Sequence, residues 1–183
     1  GLLRDPSDIW IEDGRFRDVA AARPASDIDV VDLGGRTVMP GLIDAHVHVL
    51  MTDVDIGRLK ATPTTLATMQ AGQIMGGMLD RGFTTVRDTA GADSGLRDAV
   101  ALGLVRGPRL FVCGRAISQS GGHIDFRART EQGKAGCACC SGLDLVSRIA
   151  DGVPQVLQAV REELRFGADH IKIAVSGGVA SPS

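Results

Sequence analysis

The chain has 183 residues, of which 44% are hydrophobic, and its net charge is −2. This length suits one sizeable domain, and the near-neutral charge gives no reason to expect nucleic acid or an anionic membrane as a partner. No apolar run approaches the roughly 18 residues of a membrane-spanning helix, and the first residues lack the apolar segment of a signal peptide. Four cysteines without a disulfide framework favour a cytoplasmic protein. Three of them, Cys137, Cys139 and Cys140, are interpreted as free thiols rather than as a metal site.

Residues 1–38 are expected to form a small β domain. Residues 9–17 predict a hairpin whose turn contains Gly14, because glycine allows the positive φ that such a turn needs. Alternation of apolar residues predicts a further strand over residues 28–33. So few short strands are not stable alone. We therefore expect them to pair with strands from elsewhere in a longer chain.

The next stretch carries the first candidate site. Residues 42–49 are apolar and β-branched, which predicts a buried strand, and alternation places Asp44, His46 and His48 on one face. The two imidazoles start roughly 6.6 Å apart, so both can reach one cation, and imidazole suits Zn²⁺ and similar ions. His-x-His alone is a weak pattern, and two ordinary surface histidines are the alternative. Polar side chains on an apolar strand are costly unless paired, which favours the metal site.

Helices and strands are predicted to alternate after residue 50. Helical spacing predicts helices over 63–81, 96–104 and 153–166, and short apolar runs predict strands over 83–88, 109–113 and 170–175. Ser94 is the expected cap of the second helix, and residues 114–150 are expected to form a long loop. The apolar residues assigned to the core are Leu66, Met69, Ile74, Met78 and Leu79 in the first helix and Val156, Leu157, Val160 and Leu164 in the third.

This order predicts an α/β fold with parallel strands and helices outside them. An open doubly wound sheet and a (β/α)₈ barrel both fit, and both place their chemistry at the C-terminal ends of the strands. No glycine-rich phosphate-binding motif follows a predicted strand, which disfavours a nucleotide site.

Lys172 is the second candidate site residue, because it lies within the predicted strand 170–175. A lysine there is rarely buried unless it is paired, so one that reaches the rim or contacts an acid is the alternative. If it faces His46 and His48, burial lowers its affinity for a proton. The free amine can then capture CO₂ as a carbamate, an anion with two oxygens that can bridge two metals.

These motifs resemble the amidohydrolase superfamily of metal-dependent hydrolases. PGLIDAHVH at 40–48, GFTTVRD at 82–88 and HIKI at 170–173 are similar to the first, second and fourth barrel strands of that family, the last carrying a carbamylated lysine. Within the superfamily, the chain resembles the Xaa-Pro dipeptidase and arginine/lysine carboxypeptidase branch. The segments that carry this closer resemblance are RAISQSGGHIDFR at 115–127, GADHIK at 167–172 and SGGVASP at 176–182.

The resemblance implies a (β/α)₈ barrel plus a small β-sandwich domain built from both chain ends. Residues 39–183 would form its first half, strands 1 to 4, since eight βα units need roughly 250 residues. It implies two Zn²⁺ or other divalent ions, with His46 and His48 on the more buried ion and the Lys172 carbamate bridging both. The remaining ligands and an acid/base aspartate would lie in later strands.

The implied activity is hydrolysis of an amide bond in dipeptides, or at the C-terminal residue of short peptides, by hydroxide held between the two metals. A deaminase, a cyclic-amide hydrolase and an inactive half-barrel are the alternatives, and a one-metal site would need no bridging carbamate. A small peptide is the expected partner, and the full-length protein is expected to be a homo-oligomer.

Further side chains are implied by the same resemblance. His123 is the candidate catalytic and substrate-binding residue, able to bond the scissile carbonyl or a substrate carboxylate; a loop histidine without a role is the alternative. Arg127 and Arg115 are candidate clamps for that carboxylate, unless they are simply solvated. The candidate supports of the metal ligands are Asp44, Asp88 and Ser176.

Overall fold

The computed structural model describes residues 7–20, 28–127 and 145–178. The chain divides into two compact units, Gly1–Pro40 and Gly41–Ser183. None of the described helices is long and apolar enough to cross a membrane.

In the first unit, β1 (Asp8–Glu12) and β2 (Arg15–Ala20) pair as an antiparallel hairpin. Asp13 and Gly14 have φ angles of 51° and 69°, so the predicted turn is confirmed. The strand predicted over residues 28–33 is wrong, because these residues form no strand and their apolar side chains are exposed. Among the described residues of this unit, β1 and β2 pair only with each other.

The described residues of the second unit form two parallel sheets of three strands each. In the first, β4 (Phe83–Asp88) lies between β3 (Leu42–Val47) and β5 (Arg109–Phe111). In the second, β6 (Ala116–Ser118) lies between β7 (Ser147–Ile149) and β8 (Ile173–Ala174). The prediction of parallel strands is therefore confirmed.

The long loop expected over residues 114–150 is wrong in its described part, because β6 and β7 occupy both ends of it. Both strands are three residues long, too short for alternation to reveal them. Residues 128–144, with Cys137, Cys139 and Cys140, lie outside the described residues. Cys113 is buried and makes no disulfide within the part of the chain that the structure describes.

Four helices are described in the second unit. They are α1 (Ile56–Ala61), α2 (Thr64–Asp80), α3 (Ser94–Ala101) and α4 (Gly152–Arg165). The last three confirm the predicted helices, whereas α1 was not predicted. Ser94 is not the cap of α3, because the Asp93 carboxylate accepts a hydrogen bond from the Leu96 N–H at 3.1 Å.

The helices pack with smaller side chains than the sequence predicted. On α2 the buried residues are Ala67, Ala71 and Met75, while Leu66 and Met69 are 50% and 73% exposed. On α4, Ala159 and Glu163 are buried, while Leu157 and Leu164 are largely exposed. The assignment of Leu66, Met69, Leu157 and Leu164 to the core was therefore wrong, whereas Met78, Val156 and Val160 pack against the core as predicted. Alanine allows a helix to approach the layer beneath it closely, whereas a longer side chain would hold the two apart.

The strand predicted over 170–175 is shorter than expected, and Lys172 lies just before β8. Its carbonyl accepts a hydrogen bond from the Ile117 N–H at 2.9 Å, so the main chain is already aligned with β6. Ile171 packs against the cluster of Ile117, Ala150 and Ala159, which includes α4. Because neighbouring side chains of extended chain point to opposite sides, Lys172 faces away from α4.

Candidate metal centre

A bulge near the end of β3 sets the directions of its side chains. Asp44 pairs with Val86 and Val47 pairs with Asp88, so Ala45 and His46 together lie opposite a single residue of β4. The Arg87 Nε donates to the Ala45 carbonyl at 2.8 Å, and the His46 N–H donates to Asp44 Oδ1 at 2.9 Å. These two side-chain hydrogen bonds thus replace backbone hydrogen bonds that the bulge removes between β3 and β4.

The bulge corrects the face predicted for Asp44. Paired residues of neighbouring strands place their side chains on the same side, so Asp44 lies on the side of Val47 and not on that of His48. The extra residue in β3 has shifted the alternation by one. The Asp44 carboxylate instead supports the main chain at His46. Its role in holding a metal ligand stays a prediction.

The rings of His46 and His48 lie together. Their centroids are 5.2 Å apart and the ring planes meet at 71°, an edge-to-face arrangement. His48 Nε2 lies 3.5 Å from the Thr89 hydroxyl, and the buried Nδ1 has no hydrogen-bond partner. A buried ring nitrogen without a partner is costly. The lone pair of His48 Nδ1 is therefore available to a bound cation.

The electrostatic surroundings of His48 favour its neutral form. Burial lowers the pKa of His48, and the charge of the neighbouring His46 lowers it further. Lys172 and His123 add smaller effects in the same direction, against a hydrogen bond to the Ala90 carbonyl that raises it. His46, Lys172 and His123 are thus all close enough to affect His48. A neutral imidazole is the form that binds a metal.

Asp88 clamps the backbone next to this pair. It is completely buried and accepts hydrogen bonds from the N–H groups of Val49, Ala90 and Ala92 at 2.7, 3.0 and 3.1 Å. Burial raises the pKa of Asp88 to about 6, although the three N–H groups act in the opposite direction. Asp88 therefore fixes the chain that follows His48, and any support of the metal ligands themselves stays a prediction.

Both candidate arginine clamps pair with carboxylates of the chain. The Arg127 Nε donates to Asp125 Oδ1 at 2.6 Å, and this hydrogen bonding holds the pKa of Asp125 down at about 2. The Arg115 guanidinium lies 2.7 Å from Glu163, which is 3% exposed on α4. Arg115 is therefore directed at a helix, and the substrate contact of Arg127 stays a prediction.

The remaining candidates complete the described surroundings. Ser176 is exposed and its hydroxyl donates to the Gly177 carbonyl at 3.4 Å, so its supporting role stays a prediction. Among the described residues, no group of three or more histidine, cysteine, aspartate or glutamate side chains is arranged to hold a metal. Lysine is not one of these residue types, so the donors brought together here are two imidazoles with the Lys172 amine nearby.

Two cavities of about 370 and 350 Å³ lie elsewhere, and neither is lined by His46 or His48. The sequence did not indicate Thr89, Asp125 or Glu163 as contributors to the structure around the site. Of these three, only Glu163 could have been placed from the sequence, because it lies four residues after Ala159 on the buried side of α4. Thr89 and Asp125 follow no periodic pattern.

Comparison with known proteins gives a consistent result. The model of the amidohydrolase family matches residues 37–182. The crystal structure of an amidohydrolase is 52% identical, with a TM-score of 0.88 over 96% of this chain and 43% of that one. The crystal structure of a prolidase in complex with N-methylphosphonate-L-proline is 46% identical, with a TM-score of 0.86 over 95% of this chain and 43% of that one.

A curated relative extends the comparison. The ochratoxinase of Aspergillus niger is 32% identical over 162 residues, which are 79% of this chain and 32% of that protein. The chain therefore spans about a third of the curated relative and less than half of each solved chain.

Proposed function

Because this chain belongs to the amidohydrolase family, we propose that it forms the first half of a (β/α)₈ barrel that hydrolyses the amide bond of dipeptides. Residues 1–38 would belong to a small β-sandwich completed by other parts of the protein. The likeness to the proline-analogue complex of a prolidase supports an Xaa-Pro dipeptide as the substrate. The geometric observation that carries the metal-dependent chemistry is the buried, unpartnered Nδ1 of His48 beside His46.

His46 and His48 would hold one divalent ion, and the carbamate of Lys172 would bridge it to a second. When bound, the two ions supply Lewis-acid activation of water and of the amide carbonyl. The carbamate forms when the neutral Lys172 amine attacks CO₂, making an N–C bond and releasing a proton.

The other residues of the chain would bind and orient. Asp88 and Thr89 keep the main chain and ring of His48 in place. His123 would donate a hydrogen bond to the substrate carbonyl or its carboxylate, since its charge is sensed at His48. The arginine that pairs with Asp125 would remain beside this loop rather than move to the substrate.

Metal content of the full-length protein tests this proposal. We expect about two Zn²⁺ per protomer, near one or fewer after Lys172→Ala, and an unchanged content after Lys60→Ala, which removes a lysine from α1. Reloading metal-free protein in buffer stripped of bicarbonate should give the same loss as Lys172→Ala. Two metals retained without Lys172 or bicarbonate would contradict the carbamate.

Activity is measured separately, with Xaa-Pro dipeptides, peptides ending in arginine or lysine, and cyclic amides. Hydrolysis confined to cyclic amides, or deamination with one metal, would overturn the dipeptidase assignment. Because the chain is similar to an ochratoxinase, ochratoxin is included as a second candidate substrate.

A further inference from the structure

The ring of His123 lies directly against the backbone of Gly178. A Cβ atom placed on Gly178 would lie 2.2, 2.3 and 2.9 Å from three atoms of the imidazole, distances that no real side chain adopts. Gly178 follows Lys172 on the same stretch of chain, beyond β8. The loop that carries His123 therefore contacts the chain that follows β8, six residues after Lys172.

The ring, and not the backbone, is the reason for glycine at this position. Gly178 has no φ in the left-handed region, so alanine would cause no backbone strain there. A Cβ atom added to the neighbouring Gly177 would have no atom within 4 Å, so a methyl group there would enter open space. The two adjacent glycines thus differ in one respect, the imidazole that faces only the second.

The base of the His123 loop is fixed by hydrogen bonds. The Asp125 N–H donates to the Gly122 carbonyl at 3.0 Å, and the Gly121 N–H donates to Asp125 Oδ2 at 2.8 Å. Asp125 is itself 8% exposed and held by Arg127. A methyl group at position 178 would therefore displace the ring by rotation of its side chain, while the loop backbone stays in place.

We propose that Gly178 is a positioning residue for His123: its missing side chain lets the imidazole rest on the backbone of the chain that follows Lys172 and β8. The inference rests on the proposed function for its kinetic readout, but the position of the ring can be measured without it. The position of the His123 ring is then set by the chain that follows Lys172 and not by its own loop alone.

The experiment compares Gly178→Ala with Gly177→Ala in the full-length protein. Histidine side-chain resonances are recorded by NMR, and the His123 signals are assigned by their loss in His123→Asn. We expect Gly178→Ala to shift the His123 signals and leave the melting temperature unchanged, while Gly177→Ala changes neither. Unshifted His123 signals in Gly178→Ala would overturn the inference.

Kinetics with an Xaa-Pro dipeptide provide the second readout. Misplacement of a catalytic group by about 1 Å can cost roughly 100-fold in rate, so we expect a loss of this order in kcat/KM for Gly178→Ala. The Gly178→Ala/His123→Asn double variant should be no slower than His123→Asn alone, because both changes remove one interaction. Additive losses would contradict the coupling. A wild-type protein without peptidase activity would refute the proposed function, and the NMR comparison would still decide the role of Gly178.

Discussion

Asp88 and Asp125 are both buried carboxylates, but their surroundings shift their pKa values in opposite directions. Asp88 is held by backbone N–H groups, whose effect is outweighed by burial, and its pKa rises to about 6. Asp125 is paired with Arg127, and that hydrogen bonding lowers its pKa to about 2. The sequence shows that both residues are aspartates. It does not show which groups contact each carboxylate, because those contacts depend on the fold.

The Asp125 pair makes stability depend on pH in a defined direction. Its folded pKa of about 2 lies below the ordinary value of 3.8, so the unfolded chain binds more protons between these pH values. The stabilisation is therefore present above about pH 4 and is lost as the pH falls through 2. We expect Asp125→Asn to lower the free energy of unfolding by about 2 kcal/mol at pH 7, with most of the difference lost near pH 2.

Urea titrations of both proteins across this pH range measure the difference. Asp80→Asn is the matched control, because Asp80 also pairs with an arginine but its side chain is 64% exposed. It should change stability very little at any pH. An Asp125→Asn effect that is the same at pH 7 and pH 2 would show that the pair contributes packing rather than charge.

At the scale of helices and strands, the sequence predicted which elements exist, and of which type, better than it predicted which side chains they bury. The helix periods of α2, α3 and α4 were sufficient to find them, and the hairpin turn at Gly14 followed from its φ requirement. Ala67, Ala71 and Ala159 were missed as core residues because alanine carries little hydrophobic signal, although its size decides which side of a helix can approach a sheet. The bulge in β3 was missed because a bulge leaves no periodic trace in one strand.

The contribution of the Asp93 cap to the stability of α3 can be predicted and tested. Asp93→Ala removes the acceptor of the Leu96 N–H and should lower the free energy of unfolding by about 1 kcal/mol. Asp93→Asn keeps an acceptor oxygen and should cost only a few tenths of a kcal/mol, that is, about a quarter of that loss. Chemical denaturation of both variants checks the cap. Equal losses would mean that the charge at the helix start, rather than the hydrogen bond, stabilises α3.

Across the whole molecule, the order of strands and helices predicted the parallel α/β arrangement and the C-terminal strand ends as the place for the histidines. It did not predict β6 and β7, which lie in the stretch expected to be a loop, or that β5 pairs with β4 while β6 pairs with β7 and β8. That division depends on which neighbours each short segment meets, and these neighbours are distant in sequence. Local patterns cannot report them.

Substitution of an exposed residue of β3 can test whether further barrel strands cover this unit. Ile43 is 72% exposed although it lies within β3, and Val54 is 100% exposed outside any helix or strand. If the rest of a barrel packs on β3, Ile43→Asp in the full-length protein should lower the free energy of unfolding by about 2 kcal/mol or more. Val54→Asp should be nearly neutral, and equal small effects of both variants would contradict a covered β3.

The β3–β4 pairing contains two slips of opposite sense. Leu42 pairs with Phe83 and Ile43 with Thr85, so Thr84 is the extra residue at the start, and the bulge at His46 restores the original alignment. A single slip would turn Val47 out of the core and carry His48 into it. The tight approach of Gly41 to Thr84, whose Oγ1 would lie 2.0 Å from an added Cβ, therefore lies at the first slip of the strand that carries His46. A substitution that removed only one of the two slips would change the side on which His48 lies.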